Sequence, residues 1–403
     1  MIRKIPVLVA LTLFAPGLAA SAGEGRSSSS SDPVTKNAPV IRKIDDRMRE
    51  FVKANQAAGI VTAVVHRGRL IHSAAVGLAD LSGNRPILPN SVFAIASMTK
   101  PVTAAAVMIL RDEGRLDLDD PVSKYVPAFR ETRLKGGAKP MREVTLRDCL
   151  RHTSGLSGDQ RNRGSLAETA EFLARTQLDF EPGSKWQYGP GLSVVGRVVE
   201  VVSGMPFDQF LKERVFGPLE MSETTFKPTS AQLERLAKVY QPSTDKQNLQ
   251  PFHHWILDEK NWTSPNPSGG LFSTAADIVR FHQMLLNQGE LNGRRILSRK
   301  AVQEMTALQT GKLKTGFTPG CGWGLGVCLV QQPQGPTKML SAGTFGHGGA
   351  FGTQGWIDPQ QQLICILLVQ RANFGNGDGS ELRSELQRLA VEAIAGESPA
   401  PRK

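Results

Sequence analysis

Cysteine is scarce in this chain of 403 residues, which contains four. Cys149, Cys321, Cys328 and Cys365 do not have the spacing of a metal site, and no zinc-type spacing of His and Glu occurs either. We therefore predict neither a metal nor another cofactor. Cys321 and Cys328 flank the segment GWGLGV and can pair, but their spacing alone does not establish a disulfide.

Long runs of basic residues are also missing. Lys and Arg number 48 against 37 Asp and Glu, which gives a formal net charge of +11. This charge is dispersed, and few aromatic residues are interleaved with the basic ones, so a nucleic-acid partner is not predicted.

Uninterrupted apolar runs of membrane-spanning length are absent after the N-terminus, so no stable membrane insertion is expected for the mature chain. At the N-terminus, Arg3 and Lys4 precede an apolar stretch that ends near Ala19, and Ala20-Ser21-Ala22 follow. This layout is typical of a cleaved signal peptide over residues 1–22 and predicts a secreted or periplasmic protein. An uncleaved signal anchor is the alternative. Residues 23–40 have the composition of a Ser-rich linker, and residues 396–403 that of a short tail.

The region between linker and tail, residues 41–395, is predicted to be one domain. Apolar segments with turn residues predict a strand pair around residues 66–69 and another around residues 358–360. Between them, most segments over roughly 115–335 have helical spacing. We therefore predict an α/β (α+β) fold, in which N- and C-terminal strands form an antiparallel sheet flanked by helices, with an inserted all-helical region.

The segment FAIASMTKPVTAAAVMIL, residues 93–110, combines a buried helix pattern with a proline. Pro101 is tolerated only in the first turn of a helix, so the helix is predicted to begin near Ser97 or Met98 and to run to Glu113. Lys100 then lies one turn after Ser97 on the same side. Ser97 has a structural interpretation as a helix cap and a functional one as a nucleophile, for which a desolvated lysine is a suitable base.

Similar short patterns elsewhere receive structural interpretations. A second Ser-x-x-Lys, residues 243–246, lies in a polar stretch and is predicted to be a surface turn. The Lys-Thr-Gly at residues 314–316 precedes another loop and not an edge strand, so it is not predicted to belong to the site. His152, in the segment HTSGL, is predicted to hold the loop after a helix.

Two glycine-rich segments are further candidates for a site. Tyr188 lies on a Gly/Pro-rich loop just before a helix, with Pro190 two residues later, and loops between rigid elements often carry active-site groups. His347 is followed by Gly348 and Gly349, which allow a substrate to approach the backbone. The next amide, on Ala350, is available for an oxyanion.

Taken with LRHTSGLSGD (residues 150–159) and NPSGGLFSTAADIVRFHQMLL (residues 266–286), these motifs resemble the serine β-lactamase and penicillin-binding-protein superfamily. They are most similar to its class C β-lactamase-like branch with its carboxylesterases. The likeness covers about residues 41–395. It implies an α/β region that holds the sheet, an all-helical region, and an active site between the two.

The resemblance also implies the roles of single residues. Ser97 is expected to be the nucleophile, Lys100 its partner, and Tyr188 the base or proton relay. The backbone amides of Ser97 and Ala350 are expected to form the oxyanion hole. No Gly-x-Ser-x-Gly motif occurs, which disfavours an α/β-hydrolase.

Two departures from the family pattern concern the substrate. Pro190 stands where the branch often has an asparagine, whose side chain binds a substrate amide. His347 replaces the lysine of Lys-Thr-Gly, whose cation helps to bind a β-lactam carboxylate. With Gly348 and Gly349, these two are the expected substrate-binding residues.

Both departures favour a small neutral ester over a β-lactam-like substrate. We therefore predict an exported serine hydrolase that acts on carboxylic esters. A β-lactamase or D,D-peptidase, an acyltransferase, and a catalytically idle binding or sensor module are the alternatives. The sequence does not indicate the oligomeric state.

Overall fold

The computed structural model describes residues 38–375 and 377–395. The predicted signal peptide and the tail at 396–403 lie outside the described residues, as does most of the linker. The first helix spans Ala38–Lys53 and so includes residue 41, the predicted start of the domain. Pro39 lies in the first turn of this helix, where proline is favoured.

The main feature is an eight-stranded antiparallel sheet. Its order is β10-β11-β12-β13-β14-β1-β2-β3, so strands from the two ends of the chain meet in the middle of the sheet. The strands are β1 (Gly59–His66), β2 (Arg69–Asp80), β3 (Arg85–Pro86), β10 (Cys321–Trp323), β11 (Cys328–Val330), β12 (Phe345–Gly348), β13 (Gln354–Asp358) and β14 (Leu363–Val369). This arrangement confirms the predicted sheet and fold class.

Side chains of the central strands alternate between two hydrophobic layers. On β1, Val61 and Ala63 belong to a large core that also contains most of the buried helices, whereas Ile60 and Val64 face a smaller core. The first and last helices, α1 (Ala38–Lys53) and α10 (Glu381–Ile394), cover the smaller core. The strict alternation follows from the two-residue repeat of a β-strand and explains why β1 is buried along its whole length.

The remaining helices cover the other face of the sheet or pack beside it. They are α2 (Thr99–Asp112), α3 (Leu146–Leu150), α4 (Leu166–Arg175), α5 (Gly191–Ser203), α6 (Phe207–Leu211), α7 (Ser230–Glu234), α8 (Ala275–Leu286) and α9 (Arg299–Met305). Two-stranded pairings join β4 (Phe93–Ala94) to β7 (Phe272–Ser273), β5 (Tyr240–Pro242) to β6 (Leu249–Pro251), and β8 (Glu290–Leu291) to β9 (Arg294–Arg295). Within the described ranges, no helix is long and apolar enough to span a bilayer.

The predicted insertion needs two corrections. It was expected to be all-helical to about residue 335, but it contains the hairpins β5–β6 and β8–β9, and its last part supplies β10 and β11 to the main sheet. These strands have two or three residues each, which is too short for a two-residue repeat to be recognised in the sequence.

Candidate active site

Ser97 lies in a tight turn that joins β4 to α2. Residues Ala96–Met98 form a short 3₁₀ helix, and Ala96 has a φ of 45°. A non-glycine residue in this left-handed region costs about 1–3 kcal/mol and is found mainly where the surrounding structure enforces it. No side-chain hydrogen bond caps either this turn or α2, so the structure does not support the interpretation of Ser97 as a helix cap.

Lys100 is fully buried in the first turn of α2. Its Nζ lies 3.1 Å from the Ser97 Oγ, 3.0 Å from the Oε1 of Gln160 and 2.5 Å from the carbonyl oxygen of Ser268. In the part of the chain that the structure describes, no carboxylate lies within ion-pair distance of this amine. Burial without a counter-charge lowers the pKa of Lys100 well below its usual value and favours the neutral amine.

Asn266 fixes the backbone of the two residues that accept hydrogen bonds from Lys100, Gln160 and Ser268. Its Nδ2 donates to the backbone oxygen of Gln160 at 2.7 Å, and its Oδ1 accepts from the Ser268 amide at 2.9 Å. The segment is fastened to α2 by a 2.7 Å hydrogen bond from Thr103 Oγ1 to the oxygen of Pro267. This network gives the NPSGG motif a specific role: it fixes the surroundings of the lysine.

Tyr188 lies next to Lys100, three residues before the start of α5. The Lys100 Nζ is 4.6 Å from the centre of the tyrosine ring. Within the described chain, the buried hydroxyl of Tyr188 makes no hydrogen bond of normal geometry, although the Ser97 hydroxyl lies close enough to interact with it. Burial raises the pKa of Tyr188, and the neighbouring Ser97 hydroxyl offsets part of this rise. Tyr188 is therefore a phenol at neutral pH, close to both Ser97 and Lys100.

His152 supports the loop that carries Tyr188. Its backbone oxygen accepts from the Gln187 amide at 2.9 Å, and its Nδ1 accepts from the Gly189 amide at 3.4 Å. The His152 and Tyr188 rings lie 4.5 Å apart. These contacts agree with the structural role predicted for His152, since they link the HTSGL loop to the tyrosine.

His347 is buried on β12, and its ring centre lies 6.0 Å from that of Tyr188. Burial, with a smaller effect of the Lys100 charge, lowers the pKa of His347 to about 3. The imidazole is therefore neutral at pH 7, and this position provides no cation for a substrate carboxylate.

Gly348 and Gly349 bring the end of β12 against the turn that holds Ser97. A Cβ atom at Gly349 would lie 2.4 Å from the carbonyl oxygen of Ile95, two residues before Ser97, and one at Gly348 would lie 2.0 Å from Asp378 Oδ1. Neither position has room for a side chain. Ala350 follows in an exposed turn, and its amide donates no hydrogen bond within the described chain.

Aromatic rings form one wall of the site. Phe317 lies 5.0 Å from Tyr188 and 5.8 Å from Trp186, measured between ring centres, and Trp186 in turn packs on Trp323. The segment that carries Phe317 includes Lys-Thr-Gly at residues 314–316, a pattern that its position before a loop did not mark as part of the site. Gly316 lies against the Trp186 ring, so this segment borders the site although its lysine is exposed.

The structure thus brings Ser97, Lys100, Tyr188 and His347 together, with the glycine pair close by. Pro190 is buried directly before α5. Sequence reasoning missed Gln160 and Phe317, because both reach the site from loops whose course no local pattern predicts. Gln160 directly follows the quoted segment LRHTSGLSGD, which was the only available signal for it. No group of three His, Cys, Asp or Glu side chains suited to a metal occurs among the described residues.

A serine at a strained helix start, beside a buried lysine and a tyrosine on a mixed α/β fold, is the arrangement of a β-lactamase-like serine hydrolase. The chain belongs to the beta-lactamase family, whose model matches residues 44–390. This finding confirms the resemblance inferred from the motifs.

Similar proteins carry different activities in their names. The chain is 29% identical to esterase EstB of Burkholderia gladioli, over 84% of this chain and 92% of that protein. It is 32% identical to penicillin-binding protein 4 of Amycolatopsis lactamdurans, over 84% and 86% respectively. Among solved structures, EstCE1, a hydrolase with promiscuous acyltransferase activity, matches with a TM-score of 0.77 and 24% identity, over 90% of this chain and all of that one.

Proposed function

We propose that this protein is an exported serine hydrolase that cleaves carboxylic esters through an acyl-Ser97 intermediate. One observation carries the proposal: the fully buried amine of Lys100 lies 3.1 Å from the Ser97 Oγ and has no counter-charge in the described chain. A neutral amine at this distance can accept the hydroxyl proton, which a solvated ammonium cannot do.

In the first half-reaction, the Ser97 Oγ attacks the ester carbonyl carbon and its proton passes to Lys100. The amides of Ser97 and Ala350 stabilise the negative charge that develops on the carbonyl oxygen. The carbon–oxygen bond to the alcohol then breaks, and the leaving alkoxide takes a proton. Because Tyr188 is a phenol, it is suited to donate that proton and to regain one from the Lys100 ammonium.

In the second half-reaction, water attacks the acyl-Ser97 carbonyl and gives its proton to the same groups. The ester bond to Ser97 breaks, the acid leaves, and the Ser97 hydroxyl is restored. The proton path therefore runs in reverse through Lys100 and Tyr188.

The preference for esters follows from what surrounds the nucleophile. His347 is neutral, and Pro190 offers no side-chain polar group to a substrate amide. A β-lactam or peptide substrate would leave its carboxylate and its amide without these two partners. The relationship to an esterase supports this choice, while the relationship to a penicillin-binding protein makes a β-lactamase or D,D-peptidase the alternative to test.

The decisive experiment measures kcat/KM for p-nitrophenyl esters of several chain lengths and for a chromogenic cephalosporin, with Ser97→Ala as the blank. We expect the best ester to exceed the cephalosporin by at least the tenfold to hundredfold that one charge-assisted contact provides. Equal hydrolysis of both would replace the esterase proposal with the β-lactamase one.

Export is proposed from the layout of residues 1–22 and has its own test. The full-length chain should yield a mature protein that begins after Ala22 and is released with the periplasmic or secreted fraction. An intact mass that retains residues 1–22 would indicate an uncleaved anchor.

A further inference from the structure

We propose that Gln160 is a positioning residue that directs the lone pair of Lys100 toward the Ser97 hydroxyl. This inference rests on the proposed function, in which Lys100 accepts the proton of Ser97. It assigns a role to a residue that lies 60 positions away from the lysine in the sequence.

A neutral amine has two N–H bonds that donate hydrogen bonds and one lone pair that accepts one. Two neighbours of the Lys100 Nζ, the Gln160 Oε1 and the Ser268 carbonyl oxygen, are acceptors in this orientation. They occupy both N–H bonds. In the neutral amine, the third neighbour, the Ser97 Oγ at 3.1 Å, then faces the lone pair and donates to it, whereas an ammonium would donate to all three neighbours. The neutral form of Lys100 is therefore oriented as a base toward Ser97.

Of the two acceptors, only the Gln160 side chain can be changed by substitution, because the other acceptor is a backbone carbonyl. Its loop is fastened by Asn266, which donates to the Gln160 backbone oxygen, and by Asn162, whose Nδ2 donates to the carbonyl oxygen of Pro265 at 2.7 Å. The side chain of Gln160 is only partly buried, so substitutions there are expected to leave the fold intact.

Few other ionisable groups among the described residues influence the protonation of Lys100. The rings of Tyr188, His152 and His347 surround Lys100, and burial lowers the pKa of both imidazoles, so neither adds positive charge at pH 7. The Asp378 charge contributes to the raised pKa of Tyr188, and its Oδ1 accepts a hydrogen bond from Gln354. Asp159, next to Gln160, is paired with Arg161. Among the described residues, a carboxylate introduced at position 160 would thus be the first one in contact with the amine.

Two variants separate the two properties of Gln160. Gln160→Glu keeps an acceptor but adds a charge that favours the ammonium. Activity requires the neutral amine, so the acid limb of the kcat/KM profile should move to higher pH by about one unit or more, with at least a tenfold loss at pH 7.

Gln160→Met keeps the length of the side chain but removes the hydrogen-bond acceptor. It should lower the rate of Ser97 acylation by a fluorophosphonate about tenfold across the pH range, without moving the acid limb.

Arg161→Gln is the matched control, since it changes the charge of the same loop by one unit without touching Lys100. It should keep the parent profile, and all variants should keep the parent melting temperature. If Gln160→Glu is unstable, the acylation rate of Gln160→Met decides alone. A parent-like profile in Gln160→Glu, or a parent-like rate in Gln160→Met, overturns the role of Gln160. Failure of the parent to acylate at Ser97 would instead refute the proposed function.

Discussion

The chain contains the pattern Ser-x-x-Lys twice, and the structure places the two copies in opposite environments. Ser97 and Lys100 lie at the start of α2, where the lysine is fully buried and contacts the serine hydroxyl. Ser243 and Lys246 lie on the exposed turn between β5 and β6. There the Ser243 Oγ lies within hydrogen-bond distance of two acceptors, the backbone oxygen of Asn248 at 3.0 Å and the Asp245 carboxylate, either of which takes its single proton.

This difference shows that the pattern alone does not produce the chemistry. An exposed lysine is stabilised by water as the ammonium, which has no lone pair and cannot accept the proton of a neighbouring hydroxyl. At Lys100, burial removes the water, and the backbone turn at Ala96 holds the serine in reach. The second copy is therefore a built-in control for experiments on the first.

The largest expected difference is between the two serines. Ser97→Ala should reduce ester turnover by at least about a thousandfold, because it removes the nucleophile of a catalytic unit. Ser243→Ala should leave kcat/KM within twofold of the parent, and neither change should alter the melting curve appreciably. Residual activity of Ser97→Ala within tenfold of the parent would refute the assignment.

The next prediction concerns the proton path. Lys100→Ala and Tyr188→Phe should each reduce kcat/KM by about a hundredfold to ten-thousandfold, the usual contribution of a general acid or base. The double variant should be little worse than either single one, since both belong to one unit. Lys246→Ala serves as the control and should be neutral. Effects of Lys100→Ala and Tyr188→Phe that simply multiply would mean that the two residues act independently.

His347→Lys tests the missing cation. It should raise kcat/KM for the cephalosporin by about tenfold to a hundredfold, because a charge-assisted bond to a substrate carboxylate contributes about 1.5–3 kcal/mol. Neutral esters should be unchanged or slower, since the added charge lies near Lys100 in a buried place. The measurement is kcat/KM for an ester and for the cephalosporin, in the parent and in His347→Lys. If the ratio of the two values does not fall in the variant, the missing cation does not explain the substrate preference.

The smallest effect is expected at the aromatic wall. Phe317→Ala should raise the KM for a phenyl ester about threefold to tenfold, as expected for the loss of one ring contact worth about 0.5–1.5 kcal/mol. Phe172→Ala is the matched control, because Phe172 is 46% exposed against 44% for Phe317 but lies on α4 over Arg163. Equal KM changes in both variants would remove Phe317 from the substrate pocket.

The sequence was most informative where a local rule applied. Pro101 located the start of α2 to within two residues, since proline fits only the first turn, and Gly114 ends the helix with a φ of 70°. The hairpin of β1 and β2 was predicted correctly from the turn at residues 66–69. In the structure, Arg67 and Gly68 both adopt positive φ, as a two-residue turn requires. The order of the motifs then indicated the fold.

Long-range features were not predictable in this way. The contact of Gln160 with Lys100 joins a loop to α2 and depends on Asn266 from a second loop, and no spacing rule relates these three positions. Phe317 belongs to a segment dismissed because its lysine pattern lay in a loop, yet the aromatic residue beside that pattern reaches Tyr188. The depressed pKa of Lys100 likewise depends on complete burial, which only the packed structure reveals.

The most direct test of the account is covalent labelling with a fluorophosphonate, followed by intact-mass measurement and peptide mapping. The account predicts one adduct per chain, located on Ser97, with none on Ser243. It further predicts that labelling is lost in Ser97→Ala and strongly slowed in Lys100→Ala. A chain that gains no mass, or an adduct on any residue other than Ser97, would contradict the central claim that Ser97 is a nucleophile activated by the buried lysine.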